Sequence, residues 1–130
     1  MSTLKEIQQA LKILIKAGKK KKNITVLHCT SSYPTLLKDS NLNVIKTFIK
    51  KFGDNVGYSD HTTSINVPAY AVLLGAKVIE KHLTINNQDR GPDHEASLNF
   101  FQFKMMVENL KNLNLSLGDS KKKISLSESK

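Results

Sequence analysis

Two hydrophobic periodicities alternate along this chain, and no other feature constrains its fold as tightly. Leu4, Ile7, Leu11, Leu14 and Ile15 recur at helical spacing, and Gly18 supplies a stop. Thr3 and Glu6 have capping-box spacing at the start of that helix. Ile24-Thr25-Val26-Leu27-His28 is a short β-branched run that predicts a buried strand. Leu42, Ile45, Phe48, Ile49 and Phe52 then share one face of a second helix, ended by Gly53. The pattern repeats. Asn55-Val56-Gly57-Tyr58-Ser59 reads as a weak strand, and residues 62–64 offer N-caps for a helix with Pro68 in its first turn. Gly75 closes that helix, Lys77-Val78-Ile79-Glu80-Lys81 makes a third strand, and residues 83–96 read as a loop. Ser97 is the expected N-cap of a last helix running to about Leu115.

The order α-β-α-β-α-β-α places the chain in the α/β class, with about three parallel strands and four helices. Such a sheet is thin and both its edges lie open. The 130 residues also fall short of a complete (β/α)8 barrel, which takes about 250. Residues 1–117 therefore read as part of a larger α/β domain. Residues 118–130, polar and rich in Lys and Ser, read as a linker or tail.

Charge and cysteine content narrow the function classes. The net charge is +9, yet only one of the 20 cationic side chains, Arg90, is arginine. Base-edge and bidentate phosphate readout favours the planar guanidinium fork, so a Lys-dominated balance reads first as solvated charge, with a basic nucleic-acid-binding protein as the alternative. No apolar run approaches the ~20 residues of a membrane span, and Met1 to Lys5 lacks the order of a signal peptide. The single Cys29 fits a reducing, cytoplasmic setting.

Polar side chains cluster after each strand. His28-Cys29-Thr30-Ser31-Ser32-Tyr33-Pro34 follows the first, Ser59-Asp60-His61-Thr62 the second, and Glu80-Lys81-His82-Leu83-Thr84 the third, with Arg90-Gly91-Pro92-Asp93-His94 beyond. In parallel α/β proteins these strand ends build the ligand site. Adjacent strands lie about 4.8 Å apart, so His61 and His82 could converge on a divalent ion. The alternative is that each imidazole bonds a carbonyl within the fold. Asp60 and Glu80 could orient those rings or pair with lysines. Ser59 shares strand parity with His61, and its hydroxyl, with those of Thr30, Ser31 and Ser32, could donate to a phosphate or carboxylate or simply cap turns. Asp93, at the end of a Gly-Pro-Asp turn, could accept from a sugar hydroxyl. His28 and Cys29 are strand neighbours and point to opposite faces, which argues against a nucleophile pair between them. Glycine-rich phosphate loops, CxxC motifs and serine elbows do not occur. These features leave open a small flavodoxin-like binding module without catalysis.

Four segments taken together, Leu27-His28-Cys29-Thr30-Ser31-Ser32-Tyr33-Pro34-Thr35, Gly57-Tyr58-Ser59-Asp60-His61-Thr62, Val78-Ile79-Glu80-Lys81-His82-Leu83-Thr84 and Gly91-Pro92-Asp93-His94, closely resemble the sialic acid synthase family. That family comprises N-acetylneuraminate synthase and its legionaminate and pseudaminate relatives. Met1-Ser2-Thr3-Leu4 resembles the family's turn after the fifth barrel strand, so the resemblance implies the C-terminal half of a TIM barrel, followed by a linker that leads in the family to a small antifreeze-like domain. It further implies condensation of phosphoenolpyruvate with an N-acetylmannosamine-like sugar and release of phosphate, assisted by Mn²⁺ or Mg²⁺. By position, His61 and His82 would be the metal ligands, Ser31 and Ser59 would contact phosphoenolpyruvate, and Tyr33 and Asp93 would hold the sugar. Family members dimerise, and other strands of the barrel carry further substrate-binding groups. The chain alone is therefore expected to lack synthase activity.

Overall fold

The computed structural model describes residues 2–129. Met1, read above as part of the opening turn, and Lys130, the end of the tail, lie outside the described residues. Helix α1 (Leu4–Lys16) begins with the expected capping box: Thr3 Oγ1 accepts from the Glu6 amide, and the Glu6 carboxylate accepts from the Thr3 amide. Strand β1 (Val26–Cys29) and helix α2 (Val44–Phe52) follow, then strand β2 (Val56–Asp60) and the short helix α3 (Val67–Leu73). Strand β3 (Val78–Lys81), two two-residue strands β4 (Leu83–Thr84) and β5 (Leu98–Asn99), and helix α4 (Phe100–Leu117) complete the order. Among the described residues no helix is long and apolar enough to cross a membrane.

β1, β2 and β3 form one parallel sheet with β2 at its centre. The segment that read as a weak strand is thus the middle one, and all five of its residues are buried. Gly57 and Ser59 are poor strand formers in isolation. Neighbours on both sides supply the stability that propensity lacks.

The register separates two faces. On one, Val56, Tyr58 and Ala76 join Ile45, Phe48 and Phe52 of α2 and Val67 and Ala71 of α3 in the hydrophobic core. On the other, Gly57 lies between Leu27 and Val78, and Ser59 between Cys29 and Glu80. This second face leads up to the polar strand ends.

The expected caps at residues 62–64 and Ser97 and the expected loop over residues 83–96 need correction, the loop because Leu83–Thr84 forms β4. Leu4, Ile7 and Leu11 of α1 pack against the core, whereas Leu14 and Ile15 are exposed. Leu14 instead lines a cleft between α1 and the open edge of β1. Residues 62–64 do not cap α3; Thr62 and Ser64 close successive two-residue turns by accepting from the Ser64 and Asn66 amides. Nor does Ser97 cap α4. Residues 98 and 99 pair with β4, which delays the helix until Phe100, and Asn99 caps it in a capping box with Gln102. The Ser97 hydroxyl donates instead to the Asp93 carbonyl. Beyond Gly118 the described residues are exposed and hold neither helix nor strand.

Candidate metal and substrate site

His61 is the first residue past β2 and His82 the first past β3, so both imidazoles rise from adjacent strand ends. Their ring centroids are 5.1 Å apart. Tyr33, from the loop after β1, completes an aromatic cluster at 4.2 Å from His61 and 5.8 Å from His82. All three strand-end segments thus contribute one ring to the same spot.

The loop that carries Tyr33 is held in place by Thr35, which sequence reasoning passed over. Its amide donates to the His61 carbonyl, and its hydroxyl donates to the Ser32 and Thr30 carbonyls. Burial of a threonine in a polar loop is the sign of such a role, and burial is not readable from sequence.

His61 is buried, and its Nδ1 lies 2.9 Å from the Thr30 carbonyl oxygen. A carbonyl only accepts, so Nδ1 carries a proton, and in the neutral ring the lone pair is on Nε2. The Cys29 sulfur lies 3.8 Å from the same Nδ1. Cys29 therefore does meet a histidine, across strands and not along its own. His28 turns to the core face, bonds the Ser40 carbonyl through Nε2 and packs on Phe48 and Tyr58.

Asp60 and Glu80 do not bond either ring, and the orienting role considered for them falls, for His61, to the Thr30 carbonyl. Asp60 points to the core face. There its Oδ2 accepts from Lys81 Nζ at 2.8 Å, with side-chain exposures of 0% and 1% for the pair. Lys81 also donates to the Thr62 carbonyl. Asp60 further accepts from the Tyr58 hydroxyl, the Thr62 amide and the Thr62 hydroxyl. Burial pulls the Lys81 ammonium below its ordinary range, and Asp60 opposes that shift. Burial, then the Asp60 charge, pushes the Tyr58 phenol well up. Glu80 lies on the histidine face and accepts from the Ser59 hydroxyl at 2.7 Å.

Ser31 is exposed beside Cys29 and Thr30, at the mouth of a cleft of about 690 Å³ along the β1 edge. Asp93 is exposed on the loop between β4 and β5. That loop is tied down by Asn87, which donates to the His94 and Ser97 carbonyls, and by a 2.7 Å bond between Thr84 and His94. The geometry thus assembles Tyr33, His61 and His82, with Ser59 and Glu80 below on the same face. Ser31 and Asp93 stay on flanking loops.

No group of three or more His, Cys, Asp or Glu suited to a metal ion occurs among the described residues. Two imidazole nitrogens form a partial donor set. They fit a divalent ion that takes its other ligands from water or substrate oxygens. Imidazole suits Mn²⁺ better than Mg²⁺, which prefers oxygen throughout.

A model described as the NeuB family matches residues 1–122. The N,N'-diacetyllegionaminic acid synthase of Campylobacter jejuni is 45% identical over 130 residues, all of this chain and 39% of that protein. The N-acetylneuraminate-9-phosphate synthase of Mus musculus is 38% identical over 95% of this chain and 33% of its own length. Among solved structures, the N-acetylneuraminic acid synthetase of Leptospira borgpetersenii, in complex with citrate, superposes with a TM-score of 0.84 at 34% identity, over 99% of this chain and 44% of that one. The Bacillus subtilis spore coat polysaccharide biosynthesis protein spsE gives 0.83 at 32%, over 98% and 36%. The chain thus spans less than half the length of these relatives, and its helices and parallel strands follow part of their larger fold. With the family model matched from the first residue to the tail, the chain belongs to the NeuB family.

Proposed function

We propose that this chain carries the metal-binding rim and part of the substrate pocket of a nonulosonate synthase. Such an enzyme joins phosphoenolpyruvate to an N-acetylmannosamine-like sugar and releases phosphate. The observation that carries the reading is the convergence of His61 and His82 at 5.1 Å, with His61 Nδ1 already engaged by Thr30. In this reading His61 and His82 hold Mn²⁺ or Mg²⁺. When bound, the ion supplies Lewis acidity to the sugar's aldehyde oxygen.

The remaining roles belong to the chain's own side chains. The Ser59 hydroxyl, oriented by Glu80, and the exposed Ser31 hydroxyl donate to the anionic groups of phosphoenolpyruvate. Using Ser59 in this way requires its hydroxyl to leave the carboxylate. Glu80 is then free to accept from a sugar hydroxyl. Tyr33, tilted against His61, offers an apolar face to the sugar and excludes water from one side of the imidazole. Asp93, exposed on the loop between β4 and β5, accepts from sugar hydroxyls. Lys81 faces away from the rim, and the family resemblance implies further substrate-binding groups on barrel strands outside this chain. We therefore expect no turnover from this chain by itself.

The test is a calorimetric Mn²⁺ titration of the chain and of His61→Asn and His82→Asn, with phosphate release measured in Mn²⁺, phosphoenolpyruvate and N-acetylmannosamine. Wild type should bind one Mn²⁺, each variant should lose it, and no phosphate should appear above a metal-only control. Undiminished Mn²⁺ binding in either variant refutes the metal assignment.

A further inference from the structure

We propose that Lys81 is a positioning residue, clamping the ends of β2 and β3 from the core face so that His61 and His82 keep the separation an ion requires. The inference rests on the metal reading above and concerns a residue behind the site. Asp60 and Lys81 immediately precede His61 and His82, and strand alternation sends each pair to opposite faces. The sheet ladder stops at Asp60 and Lys81, so both histidines lie just beyond it.

At that point Lys81 takes over. Its ammonium donates to Asp60 Oδ2 and to the Thr62 carbonyl, gripping the residues on either side of His61. Asp60 Oδ1 also accepts from the Thr62 amide at 2.9 Å, which fixes the backbone turn at His61 from within. The His82 carbonyl is held separately by the Leu98 amide. One side chain on β3 thus holds the segment that bears the β2 histidine.

Stability alone does not account for this pair. A fully buried ion pair is often no better than a well-packed apolar pair of similar volume, because desolvation offsets the Coulomb attraction. What it adds is register. A slip of β3 by one residue against β2 would turn Lys81 to the histidine face and His82 into the core, leaving Asp60 buried without its partner.

The experiment compares Lys81→Met, Lys81→Arg and the double variant Asp60→Asn/Lys81→Met with wild type. The readouts are Mn²⁺ affinity and, without metal, the proton Overhauser contact between the His61 and His82 rings. Ile45→Val, in the core away from the clamp, is the control for general destabilisation. Lys81→Met should bind Mn²⁺ about tenfold more weakly and lose the ring contact, while Ile45→Val changes neither. Lys81→Arg, which keeps the charge, should recover part of the affinity. The double variant should be no weaker than Lys81→Met, because the two side chains act as one unit. If Lys81→Met does not fold, the double variant, with no lone buried charge, carries the test. A folded clamp variant that keeps wild-type Mn²⁺ affinity and the ring contact overturns the proposal. Should wild type bind no Mn²⁺, the metal reading falls, and the ring contact still decides the clamp.

Discussion

Replacing Gly57 with alanine adds one methyl group at the centre of the sheet, on the face that leads to the histidines. A Cβ built there would lie 2.5 Å from Leu27 Cδ2, 2.5 Å from the Val78 carbonyl oxygen and 2.9 Å from Val78 Cβ. Carbon contacts are normally relaxed near 3.5–4.0 Å, so each approach is roughly 1 Å too close. Leu27 can swing away at a cost of about 0.5–1.5 kcal/mol in rotamer energy. The Val78 carbonyl is backbone in a paired strand and moves only with β3. Weakening a ladder hydrogen bond there adds about 1 kcal/mol. Against this, alanine recovers about 0.4–1 kcal/mol by stiffening the unfolded chain. The net is a destabilisation of about 0.5–2 kcal/mol, at the lower end of overpacked cores generally. For a chain of this length that corresponds to a melting temperature lower by roughly 2–10 °C. Urea and thermal denaturation followed by circular dichroism measure it. Gly53→Ala is the comparison: its φ of 90° is unfavourable for alanine, but nothing lies within 4 Å of the added carbon. Its cost should be backbone strain alone, about 1–2 kcal/mol, with the Mn²⁺ affinity unmoved. Gly57→Ala should also displace β3 and so weaken Mn²⁺ binding. A Gly57→Ala protein as stable as wild type, with the same ion affinity, would show that the three-strand packing argument is wrong.

Asn99→Ala removes one half of the capping box of α4 and should cost about 1 kcal/mol, read from a thermal melt. The Thr3 amide and hydroxyl hold the Glu6 carboxyl below its ordinary range. A group lowered in this way stabilises the fold above that range, and its contribution disappears as pH falls through the lowered value. The melting difference between wild type and Glu6→Gln, present at neutral pH, should therefore vanish in strong acid. Cys29→Ser should leave Mn²⁺ affinity within about twofold, roughly 0.4 kcal/mol, because the Thr30 carbonyl and not the sulfur sets the His61 tautomer. A larger loss on titration would assign the thiol a part in the site.

Much of this architecture was legible before any coordinates. The 3.6-residue spacing in Leu4, Ile7 and Leu11 and in Ile45, Phe48 and Phe52 marks faces that do pack on the core. Thr3 with Glu6 and Gly53 after Phe52 mark helix ends where the structure has them. These signals are local, carried by residues within one or two turns of each other. The central place of the strand read at Asn55-Val56-Gly57-Tyr58-Ser59 and the shift of the cap from Ser97 to Asn99 have the opposite character. A central strand is stabilised by its neighbours, and the start of α4 is set by the pairing of β5 with β4, fifteen residues back in the chain.

The candidate site divides the same way. Strand parity and the repetition of polar strand ends were enough to single out His61 and His82 and to seat Ser59 on their face. Only the three-dimensional arrangement decided which partner each polar group takes. It gave Asp60 to Lys81, the His61 ring to the Thr30 carbonyl, Ser59 to Glu80 and the Tyr33 loop to Thr35. The order of helices and strands follows from side-chain periodicity along the chain. Hydrogen-bond choice at a buried strand end depends on which groups arrive from other strands, and sequence spacing does not carry that information.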